Sequence, residues 1–190
     1  DGASEQVQPK MVALADGGFY VSWFDNAAGG YDVRLQRLSA TGVELWPHNG
    51  VLVADRNLSS TTDYGLSVDT AGNALLAFND DSEASERIVA AKISPDGLAI
   101  WGTPGIAVST STGFLASPRI AGTDDGDVVV AWFQVSDTVL QRLDPAGAKL
   151  WATDGLVLAH SGDTFVVADL QATGANGGLD TGNVIVSWVR

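Results

Sequence analysis

The stretch LDPAGAKLWATDGLVLA, residues 143–159, decides the fold because the chain writes it three times. LSATGVELWPHNGVLVA occupies 38–54 and ISPDGLAIWGTPGIAVS occupies 93–109. Trp46, Trp101 and Trp151 lie 55 and 50 residues apart, and the same steps separate Gly42, Gly97 and Gly147, and again Gly50, Gly105 and Gly155. A second landmark runs Trp23, Phe78, Trp132 and Trp188, each six residues after a glycine (Gly17, Gly72, Gly126, Gly182). Self-similarity at such a period marks a repeat architecture, in which one unit cannot bury its apolar faces alone. Four copies of one half-unit and three of the other amount to about 3.5 repeats of 50–56 residues.

Each unit reads as four strands. The first is PKMVALAD, YGLSVDTA or SPRIAGTD, closed by a tight turn whose glycine and Asn or Asp tolerate positive φ. The second is FYVSWF, ALLAFN, VVVAWF or VIVSWV, and it is apolar on both faces. A strand with one wet face would alternate apolar with polar, so both sides of this one are predicted to be covered by neighbouring sheets. The third ends in LQRL or AAKI and turns through SATG, SPDG or DPAG; the fourth carries the tryptophan and then GVLVA, GIAVS or GLVLA. Taken alone, DSEASERIVAAKI (81–93) favours a helix capped by Asp81. The aligned GGYDVRLQRL and SDTVLQRL are strand-like, so the repeat predicts a strand over 87–93.

Four short antiparallel strands per unit, the inner ones sandwiched, are the signature of stacked propeller blades. LDPAGAKLW resembles the repeat of quinoprotein-type propellers, and ISPDGLAIW resembles the Asp-box turn of sialidase-like propellers. The whole unit is similar to propeller arrays of secreted and cell-surface bacterial proteins, over residues 8 to 190. The resemblance implies an all-β chain: a β-propeller with four-stranded antiparallel blades at 8–54, 63–109 and 117–159 and a partial blade at 165–190. It implies no particular activity. Trp23, Phe78, Trp132 and Trp188, with Trp46, Trp101 and Trp151, are expected to be structural, since one place per unit suits docking between blades rather than sugar stacking. A ring needs about four complete blades. Further repeats of the same chain, a second copy, or the first seven residues are therefore expected to complete it.

Composition excludes several classes. In 190 residues, 45% are apolar and 17% charged, which is the make-up of a folded domain. Twenty-three acidic against ten basic residues give a net charge of −13, which repels phosphate backbones and excludes nucleic acid as a partner. The apolar runs are too short to insert in a membrane. Without cysteine there is no disulfide, thiol nucleophile or thiolate metal site. DGASEQVQPK shows no leader, so the sequence is expected to begin after a removed one or inside a longer chain. The acidic, lysine-poor composition suits an exported protein, extracellular or at the cell surface, with the periplasm as an option.

Function in a repeat array sits where the copies diverge. The second-to-third-strand loops and the connections between units are predicted to open on one end, which gathers Asp25, Asn26, Tyr31 and Asp32 with Asp80, Asp81, Glu83 and Asp163 as candidate ligand-binding residues. Asp80, Asp81 and Glu83 form the densest group of hard oxygens and the candidate calcium site; no other cofactor is expected. Arg37, Lys92 and Arg142 recur once per unit and are expected to lie along a strand and pair with a carboxylate, while Asp96 and Asp144 are expected to accept bonds within their own turns. Asp25 and Asp80 are equivalent, but Gln134 and Arg190 replace them in later units, which breaks a ring of acids. His48 and His160 have no ligand at a metal spacing, and no nucleophile or phosphate-loop motif is present. The expectation is a non-catalytic binding or scaffolding platform for a protein or carbohydrate ligand. The rivals are a polysaccharide hydrolase or lyase with Asp25 and Asp80 as first suspects, and a purely structural spacer.

Overall fold

Each second strand begins two residues or fewer after a glycine held at positive φ, and that is what folds the chain back on itself: φ is +83° at Gly17, +81° at Gly72, +94° at Gly126 and +78° at Gly182. The computed structural model describes residues 4–82, 85–110, 113–159, 162–173 and 182–190. Sheet 1 comprises β1 (Gln6–Ala13), β2 (Phe19–Asp25), β3 (Asp32–Leu38) and β4 (Val51–Ala54). Sheet 2 comprises β5 (Gly65–Val68), β6 (Ala74–Asp80), β7 (Arg87–Ile93) and β8 (Ile106–Ala107). Sheet 3 comprises β9 (Leu115–Gly122), β10 (Val128–Gln134), β11 (Asp137–Leu143) and β12 (Leu156–Leu158), and sheet 4 the pair β13 (Val166–Ala172) and β14 (Val184–Val189). The strands within each sheet are hydrogen-bonded in chain order, and every pairing is antiparallel. Segment 87–93 is strand β7, as its aligned copies require, and not a helix.

The sheets pack in sequence, and the alternation along each second strand shows how. Tyr20 and Phe24 of β2 meet Ala74, Leu76 and Phe78 of β6 in one apolar cluster. Leu75 and Ala77, on the other face of β6, meet Val128, Val130 and Trp132 of β10 in a second. Val129 and Ala131, on the other face of β10, meet Val167 and Leu170, with Val184 and Val186 of β14, in a third. Thus β6 is buried at every position and β10 at all but its last. Each fully covered Val or Leu contributes about 1.5–3 kcal/mol, so these two strands are the energetic centre. The end sheets differ from the expectation of cover on both sides. Phe19, Val21 and Trp23 of β2 are only partly buried, and Ile185 and Val189 of β14 are 64% and 63% exposed, because among the described residues no sheet lies beyond them. Among the described residues the sheets do not close into a ring.

Hydrogen bonds staple successive sheets. Trp46 Nε1 donates to the Pro95 carbonyl (3.0 Å) and Trp101 Nε1 to the Pro145 carbonyl (3.1 Å), so the same indole bond recurs one unit on. These tryptophans, with Trp151, stand in the turn ahead of the fourth strand rather than within it. The strand starts after Gly50, Gly105 or Gly155, where a Cβ would sit 2.2, 2.3 or 2.4 Å from the carbonyl oxygen of Leu35, Ala90 or Leu140. Positive φ and this close approach together require glycine. Arg37, Lys92 and Arg142 pair with acids of their own sheets: Asp16 at 2.9 Å, Asp69 at 2.9 Å, and Asp125 and Asp127 at 2.6 and 2.7 Å. Asp144 accepts from the Ala148 amide as expected (2.8 Å). In the 94–97 turn, however, Ser94 Oγ takes that part, accepting from the Asp96 and Leu98 amides, because Ser94 and not Asp96 holds the position equivalent to Asp144.

Candidate functional site

In a four-stranded meander the second-to-third-strand hairpin and the exit to the next sheet emerge at the same end. The β2–β3 hairpin, the β4–β5 connection and the described part of the β6–β7 hairpin emerge there. Asp25 and Asp32 face each other across the last pair of the β2–β3 ladder, and Asp80 faces Arg87 at the same place in sheet 2. All three acids are buried.

Their neighbours give them different electrostatics. Asp25 Oδ1 accepts from Ser4 Oγ (2.9 Å) and the Ala27 amide (2.8 Å), and Oδ2 lies 3.5 Å from Arg34 Nε. Burial pushes its carboxyl up, but these bonds and the Arg34 charge outweigh it and hold Asp25 below the usual carboxylate range. Asp32 is raised instead: burial dominates, the Asp55 charge adds to it, and the 3.0 Å bond from the Arg56 amide opposes it. Asp80 accepts from Ser82 Oγ (2.8 Å) and stands 3.4 Å from Arg87, and Asp81 accepts from the Asn57 amide (2.8 Å). Tyr31 donates its hydroxyl to Glu5 (2.5 Å), and Asn26 accepts from the Glu5 amide (2.8 Å). Asp163 is paired with Arg190 at 2.8 Å. Glu83 and His160 lie outside the described residues. Among the described residues no three His, Cys, Asp or Glu side chains come together as a cation site. Asp80 and Asp81, the two described members of the calcium trio, are already bonded to the loops they anchor.

At the centre of this end lies a residue the sequence did not single out. Arg56, 1% exposed, leaves the β4–β5 connection and donates from Nε to the Tyr31 carbonyl (2.6 Å) and from Nη1 to the Asn79 carbonyl (2.7 Å). Its guanidinium stacks 4.2 Å from the Phe24 ring centre. Burial lowers its pKa to about 10, against the opposing charges of Asp80, Asp81 and Asp32. Arg56 therefore ties the hairpin of sheet 1 to β6 of sheet 2. Nothing repeats at its position, so periodicity could not reveal it.

Two of the concave surfaces are polar, and one of them adjoins Asp25. A cleft of about 690 Å³ opens beside Asp25, lined also by Ser4, Asn26, Arg34, His48 and Asn49. The second, about 400 Å³, is lined by the first strand of every sheet: Lys10 and Met11 on β1, Leu66 on β5, Arg119 on β9, Asp169 on β13. There Asp63 binds Lys10 (2.5 Å) and Arg119 (2.7 Å) together. Burial raises Asp63, and the bonds and charges of the two cations more than reverse it, so its pKa is lowered. The cleft offers hydroxyl, amide, imidazole, guanidinium and carboxylate groups to a polar ligand. Among the described residues Asp25 is the one carboxylate that lines it.

The structural aromatics divide by neighbour. Phe78 and Trp132 are fully enclosed and Trp46 nearly so, Trp23, Trp101 and Trp151 are partly covered, and Trp188 is 45% exposed against the ring of Phe165. Trp23 and Trp188 sit on the end sheets, so the cover expected from their repeat position is incomplete.

No protein-family model matches the chain. No characterised protein matches its sequence. Among solved structures, a Bacteroides thetaiotaomicron protein described as a "putative glycosidase" is similar to it, with a TM-score of 0.50 and 15% identity over 90% of this chain. The chain spans 60% of the length of that structure. At this identity the likeness shows a shared all-β fold.

Proposed function

We propose that the chain is a run of β-propeller blades from an exported or surface protein, and that it serves as a non-catalytic platform holding a carbohydrate at its hairpin end. The propeller reading is supported by the groove that the first strands of all four sheets line together, as blades fanned about an axis would. The observation that carries the binding reading is the use made of the acids. Asp25, Asp32, Asp80 and Asp81 each bond a loop amide or an ion partner, which leaves them anchoring the surface rather than moving protons. Beside them the Asp25 cleft presents the mixed donors and acceptors that sugar hydroxyls use. No cofactor enters this reading.

A glycan array probed with the intact chain tests it, with Asn26→Ala and Asn49→Ala to place the ligand in the cleft. Binding that weakens in both variants, without release of product from the bound polysaccharide, supports the platform. A second reading, hydrolysis, is favoured by one contrast: Asp25 is held below and Asp32 above the usual carboxylate range, and a carboxylate pair that divides acid from base work needs its two members pushed apart in this way. The name given to the Bacteroides structure agrees with it. Turnover by the wild type that Asp25→Asn abolishes would replace the platform by this enzyme.

A further inference from the structure

The small residue ahead of each second-strand aromatic marks one position on each first strand. Lys10 pairs with Ser22, Gly65 with Ala77, Arg119 with Ala131 and Asp169 with Ser187, and all four first-strand residues line the 400 Å³ groove. Lys10 and Arg119 each follow a β-bulge that puts Gln8 at φ +51° and Ser117 at φ +50°, a conformation L residues rarely adopt. Bulges re-aim a side chain, and backbone strain of this kind collects at functional sites. Here both re-aimed side chains are cations, in a chain with 23 acidic and ten basic residues. They share Asp63 (2.5 and 2.7 Å), so two positive charges meet one negative. Arg119 is held in place by its bonds from Nε to the Ala168 carbonyl (3.0 Å) and from Nη1 to the Pro118 carbonyl (3.1 Å). Lys10, over the Tyr64 ring at 4.9 Å, spends one of its three protons on Asp63 and stays partly exposed. Asp169 accepts from Gln171 Nε2 (2.7 Å) and the Leu170 amide (2.9 Å), and Ser67 adds a hydroxyl to the lining.

We infer that this groove binds a carboxylate-bearing ligand with the size and polarity of a single sugar acid. Its carboxylate is drawn to Lys10 and Arg119, where charge-assisted bonds are strongest, and Asp63 competes with it for the same cations. Asp169 and Ser67 suit its hydroxyls, and Met11 and Leu66 its carbon skeleton. The volume lies within the range of small-molecule sites, about 300–1,000 Å³. The groove shares no lining residue with the Asp25 cleft, so the inference goes beyond the platform reading and is tested apart from it.

Calorimetric titration of the intact chain with galacturonate, and with galactose as the neutral control, tests this. Galacturonate is expected to bind saturably, and galactose about tenfold more weakly or worse. Lys10→Gln is expected to weaken galacturonate by about tenfold or more, the worth of a charge-assisted bond. Asp63→Asn removes the competing carboxylate and is expected to tighten binding several-fold, a direction that a merely structural Asp63 would not give. Asn26→Ala and Asn49→Ala, in the Asp25 cleft, are expected to leave the affinity unchanged. Circular dichroism checks that each variant folds, and if Asp63→Asn does not, Lys10→Gln and the galactose control still decide. The inference is overturned by galacturonate that fails to bind at millimolar concentration, by galactose that binds as well, by an unchanged affinity in Lys10→Gln, or by weaker binding in a folded Asp63→Asn. Affinity lost in Asn26→Ala instead overturns it in favour of the Asp25 cleft and leaves the platform reading standing.

Discussion

Trp23 and Trp132 are copies of one residue in different surroundings, and truncating each measures what the stacking of sheets contributes. Trp132 is 1% exposed between sheets 2 and 3, touching the cluster built from Leu75, Ala77, Val128 and Val139. Large-to-small truncation of an enclosed aromatic costs about 3–5 kcal/mol, the lost transfer energy plus a cavity that packed neighbours cannot fill. Total stability for a domain is about 5–15 kcal/mol, so Trp132→Ala removes a large share of it. Trp23 has no sheet over its face, keeps water contact in the folded state, and leaves no enclosed void when cut back, so Trp23→Ala is expected to cost about 1 kcal/mol. Urea unfolding followed by fluorescence and circular dichroism, at protein concentrations low enough to exclude self-association, gives both values. Equal costs for the two truncations would refute the reasoning, because the local sequence is shared and only the neighbouring sheet differs.

Other outcomes follow from single contacts. Gly105→Ala places a methyl 2.3 Å from the Ala90 carbonyl at φ +123° and is expected to lower stability by about 2 kcal/mol or more, seen as a lower melting temperature. Asp69→Asn strips the partner from Lys92, whose ion pair is almost wholly enclosed, and is expected to cost about 3–5 kcal/mol near neutral pH. Burial raises Asp69, but its bonds to Asn73 and Lys92 win and lower its folded pKa below 3.8; the stability it contributes is present above 3.8 and is lost as pH falls through the folded value. The variant's acid unfolding curve should therefore be flatter than the wild type's below pH 3.8. Millimolar calcium is expected to leave the melting temperature unchanged, since Asp80 and Asp81 are engaged by Arg87, Ser82 and Asn57; a clear rise would point to a site that includes Glu83.

The strand plan was legible because its cause is local and repeated. A run such as VVVAWF, apolar at consecutive positions, can be stable only with cover on both faces, and β10 has it. The same logic outweighed helix propensity at 87–93, where the strand's cross-pairs with β6 decide. What periodicity could not reveal depends on unique or distant partners. Arg56 occurs once, and its burial follows from two carbonyls on different sheets. Lys10 and Arg119 hold the same place in the first and third units, where the second has Gly65, but their shared partner Asp63 stands elsewhere in its unit, and the three meet only because the first strands line one groove. The partial exposure of Trp23 and Trp188 reflects the number of neighbouring sheets, which no residue within the unit encodes.

The proposed propeller requires that the four sheets fan about a shared axis instead of stacking in a row. The chain has no cysteine, so Met11→Cys on β1 and Asp169→Cys on β13 can be spin-labelled without background, and both line the common groove. Pulsed electron–electron resonance should place the labels below about 20 Å apart if the first strands converge, and near 30 Å if three sheet spacings of about 10 Å separate them in a linear stack. The short distance is the account's prediction, and the long one would contradict it.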